Sequence, residues 1–327
     1  MLTNVTPFPS VKKMHEKVPL SEALQNKVLE DRNRFQSAVE EGKQILFMGP
    51  CSIHNLKTDL LLGEKVAELQ HRFDQYLFIF RSHLEKPRSN HFWRGYLLDP
   101  MLDGSCDLEK GIVESRAFLI ELIKKGLPIS YEFIDPFLAP FVEDLITVGF
   151  IGARTVYSQT HRQLAATLLM PIVFKNGMEG RIEGAIDAMQ MSRLGLTTPK
   201  MGLYGPEIVF AQNSRTHLML RGGHDGPNFD LVTEALAQLT NRGIQGGVFI
   251  DCAHQNSRKN PGLQLTLLKK LLESSPQGAS GFMIECHLNR GNQPFSSDPK
   301  GGLSITDPCL DIHEVAAALE ITTALRP

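Results

Sequence analysis

Reactive side chains in this sequence recur where short apolar runs end. The run Val248-Phe249-Ile250 has the composition of a buried strand, and Asp251 and His254 follow it closely. Similar runs elsewhere stop at a thiol, a carboxylate or a long cation. The side chains that follow these runs are Cys51, Arg81 with Lys86 and Arg88, Glu132, Arg154, Lys175, Arg221, Asp251 with His254, and Glu285, with Asp307 in the long final loop. Strands that end in this way predict one barrel with one reactive rim.

Four of these side chains carry the donor atoms of a transition-metal site. One sulfur, one imidazole and two carboxylates are offered by Cys51, His254, Glu285 and Asp307. Such a mixed set suits Mn²⁺, Fe²⁺, Co²⁺ or Zn²⁺ and does not suit Mg²⁺ or Ca²⁺. Taken alone, Cys51 could equally be a small buried hydrophobe, and His254 a hydrogen-bonded core residue. Their joint placement at strand ends favours one shared divalent ion.

Long cations follow most of the other strands. A cation at the apolar end of a barrel strand costs free energy unless an anion meets it. A ring of salt bridges with Glu132, Asp251 and Glu285 is the simpler interpretation, but three carboxylates cannot neutralise six cations. Guanidinium groups bind phosphate and carboxylate oxygens through paired hydrogen bonds, so a substrate with several negative charges is the better hypothesis. The cations are Arg81, Lys86, Arg88, Arg154, Lys175 and Arg221.

The order of the predicted elements explains how these residues could meet. From Gln44 onward, strand patterns alternate with helix patterns through eight units with mostly short connections. Such βαβ crossovers make the strands parallel. Eight units favour a closed (β/α)8 TIM barrel over an open doubly wound sheet, and no Gly-x-Gly-x-x-Gly follows a strand. The active site of such a barrel lies at the C-terminal ends of its strands.

An N-terminal extension precedes the barrel. The prolines within residues 1–20 predict an extended arm, and Ser21 is a suitable N-cap for a helix that ends near Gly42. That helix would cover the barrel bottom or a neighbouring subunit. The predicted division is therefore an arm and helix over residues 1–43 and a TIM-barrel catalytic domain over residues 44–327. Within the barrel, a helix is predicted from about Phe141 to Val148.

Composition excludes several classes of partner. The chain has 327 residues, of which 42% are apolar and 21% charged, as is ordinary for a globular protein. A net charge of −2, without a basic stripe, argues against nucleic acid. Five widely spaced cysteines indicate a reducing compartment. There is no signal-peptide pattern, and no apolar run reaches the ~20 residues of a membrane span. A cytoplasmic protein with no membrane partner is predicted.

Six short motifs, in order, resemble those of one enzyme family. From about Val18 onward the chain resembles the class I 3-deoxy-D-arabino-heptulosonate 7-phosphate (DAHP) synthases. The resemblance implies a (β/α)8 barrel that condenses phosphoenolpyruvate with D-erythrose 4-phosphate and water, the first step of the shikimate pathway. The motifs are Gly49-Pro50-Cys51-Ser52-Ile53-His54, Lys86-Pro87-Arg88-Ser89, Gly152-Ala153-Arg154-Thr155, Phe174-Lys175-Asn176-Gly177, Leu220-Arg221-Gly222-Gly223 and Ser304-Ile305-Thr306-Asp307.

The resemblance also implies a role for each site residue. Lys86, Glu132 and His254 are the implied catalytic residues, with Lys86 as a proton donor and Glu132 as a candidate for activating water. Pro87 and Arg88 favour the four-carbon aldose phosphate, because the related 3-deoxy-octulosonate 8-phosphate synthases carry Lys-Ala-Asn there. The implied metal ligands are Cys51, His254, Glu285 and Asp307. The implied phosphoenolpyruvate site is Arg81, Arg154, Lys175 and Arg221, and the implied aldose phosphate site is Lys86, Arg88 and Ser89.

Two rival hypotheses and two further expectations accompany this assignment. The chain departs from the usual motifs at Val156-Tyr157 and at Cys252-Ala253, so a paralogue that uses a different phosphorylated aldose is an alternative. A non-catalytic binding or regulatory relative is the other. A homo-oligomer, dimer or tetramer, is expected. Many members bind an inhibitory aromatic amino acid, but Asp135–Phe141 and Leu168–Pro171 predict an apolar lining and hence weak or absent inhibition.

Overall fold

Parallel strands close on themselves to form the body of the protein. The computed structural model describes residues 5–88, 92–274 and 276–324. Its strands are β1 (Ile45–Gly49), β2 (Leu77–Arg81), β3 (Ile129–Glu132), β4 (Val148–Ile151), β5 (Ile172–Lys175), β6 (Leu196–Gly202), β7 (Gly205–Ala211), β8 (Thr216–Leu220), β9 (Val248–Asp251), β10 (Ala279–His287) and β11 (Leu310–Asp311). The barrel order is β1-β2-β3-β4-β5-β8-β9-β10, and β10 pairs in parallel with β1. The predicted (β/α)8 TIM barrel is confirmed.

Helices cover the outside of this barrel. They are α1 (Val11–Lys17), α2 (Glu22–Glu40), α3 (Leu56–Arg72), α4 (Leu108–Lys124), α5 (Gln159–Thr167), α6 (Glu183–Leu194), α7 (Val232–Asn241), α8 (Pro261–Glu273) and α9 (Ile312–Ala324). Several begin at side-chain caps, such as Asn55 for α3 and Asn260 for α8, each of which accepts from a backbone N–H of the first turn. Within the described part of the chain, no helix is long and apolar enough to cross a membrane.

One aromatic side chain of α2 closes the N-terminal end of the barrel. Phe35 is fully buried with the inward-facing residues of the strands. Its ring stacks on Phe249 at 6.0 Å between centroids and meets His217 edge-on at 5.1 Å. Ser21 caps α2 as predicted, by accepting from the N–H of Leu24. Burial of a phenylalanine contributes about 1.5–3 kcal/mol, so α2 both stabilises the barrel bottom and leaves the opposite rim for chemistry.

Two local predictions were wrong, and one element was not predicted. The arm contains a helix, α1, whose Val11 and Met14 are buried. The predicted helix over 141–148 is instead two 3-10 turns, Ala139–Phe141 and Glu143–Leu145, because Val148 is already paired in β4. The antiparallel hairpin of β6 and β7 was not predicted. Its mixed burial and its Pro199 hide the strand pattern. The domain division at residue 43 stays a prediction.

Candidate active site

Three of the four predicted metal ligands meet at the C-terminal rim of the barrel. The Cys51 sulfur and a carboxylate oxygen from each of Glu285 and Asp307 lie within 4.8 Å of one another. His254 stands beside them, with Nε2 3.7 Å from Glu285 Oε1. Cys51 and Glu285 are buried, and Asp307 is half-buried. A thiol, two carboxylates and an imidazole that converge in this way fit a first-row divalent metal.

Asp251 orients the imidazole of His254. Its Oδ2 lies 2.7 Å from His254 Nδ1, and its Oδ1 accepts from the N–H of Ala253 at 2.9 Å. Lys175 Nζ donates to the same Oδ2 at 3.1 Å. Burial alone would raise the pKa of Asp251, but His254 and Lys175 together lower it well below its usual range. The ionised carboxylate therefore directs Nε2 of His254 toward Glu285, as outer carboxylates do for metal-binding histidines.

Cys51 and Glu285 each have a cation in contact with them. Lys86 Nζ donates to the Cys51 carbonyl at 2.7 Å and lies 3.4 Å from the Cys51 sulfur. Arg81 is 2.8 Å from Glu285 and also donates to the carbonyl oxygens of Pro50 and Cys51. Burial and the charge of Glu285 raise the pKa of the Cys51 thiol, and the charge of Lys86 partly offsets this increase. Arg81 therefore lies against two of the predicted metal ligands, and its assignment to phosphoenolpyruvate stays a prediction.

Lys259 is a functional candidate that sequence reasoning missed. Its Nζ lies 3.0 Å from Asp307 Oδ1 and 2.9 Å from Oδ2. Burial would raise the pKa of Asp307, but Lys259 and His254 lower it. Arg258 and Lys259 have φ angles of 51° and 56°, a left-handed conformation that is costly without glycine. This unusual turn directs Lys259 at Asp307, and the sequence gives no strand-end signal for it.

Three guanidinium groups approach one another on the same rim. Arg221 is 3% exposed, and burial followed by repulsion from Arg154 lowers its pKa, although Asp251 opposes this. Burial and repulsion from Arg154 likewise lower the pKa of Arg88. Arg88 donates from Nε to the Trp93 carbonyl at 2.9 Å, and Arg221 donates to the Gly222 carbonyl at 3.4 Å. Nearby carboxylates, Asp251 for Arg221 and Asp307 for both Arg88 and Arg221, offset these charges only in part, so the arrangement suits a multiply charged anion.

A buried asparagine fixes the backbone that carries Arg221. Asn176 Oδ1 accepts from the N–H of Arg221 at 2.7 Å, and its Nδ2 donates to the Gly222 carbonyl at 3.0 Å. Gly222 has a φ of 74°, and a Cβ there would lie 2.7 Å from the backbone nitrogen of Asn256. The Lys-Asn-Gly and Arg-Gly-Gly motifs are thus joined by hydrogen bonds that fix the backbone at Arg221. Their spacing along the chain does not reveal this contact.

Glu132 and Lys175 complete the predicted set. The Glu132 carboxylate lies against Gly152, where a Cβ would meet its Oε1 at 2.0 Å and displace the carboxylate from this position. Glu132 Oε2 is 3.4 Å from the buried ring of His83. Lys175 Nζ lies 5.7 Å from the ring centroid of Phe150 and reaches Asp251. Ser89, the last predicted contact of the aldose phosphate, lies outside the described residues.

A cavity lies outside the barrel, between the loop after β3, helix α5 and the β6–β7 hairpin. Its volume is about 370 Å³, and Phe137, Ala139 and Pro140 line it. Most of its lining is apolar, although Glu143 and Lys200 also line the cavity and pair with each other at 3.3 Å. Leu168–Pro171 does not contribute to the lining. This cavity therefore offers opposite charges beside apolar surface.

The fold and the rim define a class of (β/α)8 barrels in which donor atoms suited to a transition metal lie beside a group of cations. The chain belongs to the DAHP synthetase I family, whose sequence model matches residues 27–319.

Several named relatives are similar over most of the chain. A tyrosine-inhibited phospho-2-dehydro-3-deoxyheptonate aldolase of Schizosaccharomyces pombe is 36% identical over 94% of this chain and 87% of its own length. A Trp-sensitive phospho-2-dehydro-3-deoxyheptonate aldolase of Enterobacter agglomerans is 35% identical, over 97% of this chain and 93% of its own. The solved structure of a phospho-2-dehydro-3-deoxyheptonate aldolase from Francisella tularensis is 32% identical. It covers 99% of this chain and 98% of its own, with a TM-score of 0.95.

Proposed function

We propose that this protein condenses phosphoenolpyruvate with D-erythrose 4-phosphate and water, giving DAHP and phosphate, the first step of the shikimate pathway. The observation that carries the proposal is the convergence of the Cys51, Glu285 and Asp307 donors within 4.8 Å. The guanidinium cluster of Arg88, Arg154 and Arg221 on the same rim supports it, because both substrates carry phosphate. Membership of the family and the names of the relatives point to the same reaction.

The metal-binding set of the proposal is Cys51, His254, Glu285 and Asp307. These residues would hold one divalent ion, Mn²⁺, Fe²⁺, Co²⁺ or Zn²⁺. When bound, the ion supplies Lewis-acid polarisation of a carbonyl oxygen. His254 presents Nε2 to this set because Asp251 holds its Nδ1. Mixed sulfur and nitrogen donors disfavour Mg²⁺ and Ca²⁺.

The cations of the rim bind and orient the two anionic substrates. Arg81, Arg154, Lys175 and Arg221 are assigned to phosphoenolpyruvate, while Lys86, Arg88 and Ser89 are assigned to the aldose phosphate. Fixed cations hold together two anions that repel each other in water, which is the largest catalytic contribution that such residues make.

Proton transfer is assigned to Lys86 and Glu132. The enol carbon of phosphoenolpyruvate bonds to the aldehyde carbon, and the new alkoxide takes a proton from Lys86. Water then bonds to the oxocarbenium carbon that carries the phosphate ester oxygen, and Glu132 takes one of its protons. The carbon–oxygen bond to phosphate breaks as the new hydroxyl becomes the ketone C=O, and its remaining proton leaves with phosphate. Lys86 is buried on the rim with its Nζ 3.4 Å from the Cys51 sulfur, where it could donate a proton to an alkoxide formed beside these residues.

The substrate is tested by following phosphoenolpyruvate consumption with a series of phosphorylated aldoses. We expect kcat/KM to be higher for erythrose 4-phosphate than for five-carbon aldose phosphates. A preference for another aldose phosphate would support the paralogue hypothesis instead. No turnover with any of them, from protein that still binds phosphoenolpyruvate, would support a non-catalytic relative.

The metal set is tested with chelator and one matched pair of variants. EDTA should abolish turnover, and Mn²⁺ or Co²⁺ should restore it. His254→Ala should bind far less metal while it remains folded. His313→Ala is the control, because His313 is an exposed histidine on α9. Full activity in EDTA, or normal metal binding by His254→Ala, would contradict the proposed ligands.

A homo-oligomer in the cytoplasm is the remaining part of the proposal. The β6–β7 hairpin exposes Tyr204 (84%), Ile208 (77%) and Phe210 (74%), and contiguous apolar side chains of this kind mark protein contacts. We expect a dimer or tetramer, to be measured by sedimentation equilibrium. Tyr204→Ser with Phe210→Ser should weaken the assembly, and unchanged mass would argue against this face.

A further inference from the structure

A second polar cluster lies buried behind the proposed metal ligands. His54, Asp59 and His287 are at most 3% exposed, and their facing side-chain atoms lie within 4.8 Å of one another. His54 follows Cys51 by three residues, and His287 follows Glu285 by two. None of the three has a role in the reaction described above. The cluster thus joins the two chain segments that supply Cys51 and Glu285.

Asp59 is the centre of this cluster. Its Oδ2 accepts from the backbone N–H groups of His54 at 2.9 Å and Asn55 at 3.0 Å. Its Oδ1 lies 3.1 Å from Nε2 of His287. A carboxylate in the first turn of α3 is a common helix cap, and the two backbone contacts fulfil that function. Capping alone does not explain why Asp59 also lies close to His287, which belongs to strand β10.

The chemistry of His287 decides between a metal site and a structural link. The backbone N–H of Leu288 donates to His287 Nδ1 at 2.9 Å. A neutral imidazole whose Nδ1 accepts a hydrogen bond carries its proton on Nε2. A protonated Nε2 cannot bind a cation, and here it faces the Asp59 carboxylate in a close polar contact that lacks the geometry of a hydrogen bond. The cluster is therefore a link between α3 and β10 and not a second metal site.

The same link reaches the loop that carries Asp307. Thr58, next to Asp59, accepts from the N–H of Gly302 through its hydroxyl at 3.0 Å. Ser52 and Thr306 are joined through their hydroxyls at 2.9 Å. The start of α3 thus contacts the segments that supply three ligands: the loop after β1, the end of β10 and the loop before α9.

We propose that Asp59 is a positioning residue for the metal centre, which holds Cys51 and Glu285 at their ligating separation through His54 and His287. This inference rests on the proposed metal ligands. Outer residues that orient metal ligands typically change metal affinity by about 10–100-fold when they are replaced. A cap without this role would change the stability of α3 and leave metal affinity unaltered.

The test is a Co²⁺ titration of the metal-free full-length protein, followed by thiolate-to-cobalt absorption and by calorimetry. Asp59→Asn keeps an oxygen that can accept from the two backbone N–H groups and removes the charge opposite His287. We expect its dissociation constant for Co²⁺ to rise by about 10–100-fold, with one ion per chain in both proteins. Asp107→Asn is the control, because Asp107 caps α4 through one contact with the N–H of Lys110 at a solvent-exposed position.

The outcomes separate this inference from the metal proposal. If wild type binds one Co²⁺ and His254→Ala loses it, while Asp59→Asn binds within twofold of wild type, the positioning role alone is refuted. If wild type binds no Co²⁺, the metal proposal fails and this inference fails with it. A second ion that is lost in Asp59→Asn would identify Asp59 as a ligand and overturn the link. Should Asp59→Asn not fold, His287→Gln must show the same weakening, and unaltered affinity there refutes the role.

Discussion

Replacement of Asp251 by asparagine tests whether the rim depends on one buried charge. The carboxylate is fully buried and meets Lys175 at 3.1 Å and His254 at 2.7 Å. Asparagine preserves the shape and an oxygen for the N–H of Ala253, so the substitution removes chiefly the negative charge. Lys175, which is 3% exposed, would then be left without the carboxylate that it contacts.

The expected loss of stability follows from that burial. Removal of one partner from a buried ion pair costs about 3–5 kcal/mol, because the other charge stays buried and uncompensated. The one amide oxygen of asparagine is used by the N–H of Ala253, so Lys175 then faces an amide NH2 group, which cannot accept its hydrogen bond. We therefore expect a loss within that range, about 3–5 kcal/mol. The same change should weaken metal binding, because His254 loses the acceptor that orients its ring.

The assay is urea unfolding of the metal-free protein, with Asp187→Asn as the matched control. Asp187 pairs with Arg242 at the surface, where 51% of its side chain is exposed, and such pairs contribute about 0–1 kcal/mol. The pKa of Asp251 lies below its usual range in the folded protein. Its contribution is therefore complete above about pH 4 and is lost only as the pH falls through the folded pKa. A difference at neutral pH no larger than that of the control would refute this reasoning.

Three further substitutions test other parts of the molecule. Arg88→Ala should raise KM for erythrose 4-phosphate by about 10–100-fold, the cost of one charge-assisted hydrogen bond, and equal effects on phosphoenolpyruvate would contradict its assignment. Burial raises the pKa of Glu85 to about 8. The wild-type protein should therefore lose stability as the pH rises from about 5 to about 8, because the buried carboxyl must then give up its proton. Glu85→Gln should show no such loss, and urea unfolding midpoints measured across this pH range would check it. The cavity beside the β6–β7 hairpin is mostly apolar, and its Glu143 and Lys200 pair with each other, so Phe, Tyr or Trp should inhibit weakly or not at all. Titration of each amino acid into the assay checks this, and strong inhibition at sub-millimolar concentration that Lys200→Met relieves would refute it.

The barrel could be predicted from the sequence because its strands are fully buried and so read as continuous apolar runs. The runs around Phe47, Phe80 and Phe249 are examples, and they lie in the buried strands β1, β2 and β9. The hairpin of β6 and β7 could not be predicted in the same way. It packs only part of its surface, so residues such as Ile208 and Phe210 are exposed, and neither alternation nor a continuous apolar run remains.

The principal side chains of the site could be predicted because parallel strands bring their C-terminal ends together. That rule places Cys51 near Glu285 without any knowledge of spacing along the chain. It says nothing about residues in loops and helices, which explains why Lys259 and Asp59 were missed. Lys259 reaches the rim from a left-handed turn, and Asp59 from the first turn of a helix. The Asp-x-x-His spacing of Asp251 and His254 was a signal that could have identified their pairing.

The contacts of the ligands have a consequence for how the protein would take up its metal. Lys86 lies against Cys51, Arg81 against Glu285 and Lys259 against Asp307, so each anionic donor already has a positive neighbour. Burial raises the pKa of the Cys51 thiol, so before an ion binds these cations chiefly reduce the repulsion between the Glu285 and Asp307 carboxylates. A divalent ion entering this set therefore exchanges partners with existing cations. Its affinity measures the difference between two charge-balanced arrangements, which is why the residues that fix the ligands can matter as much as the ligands themselves.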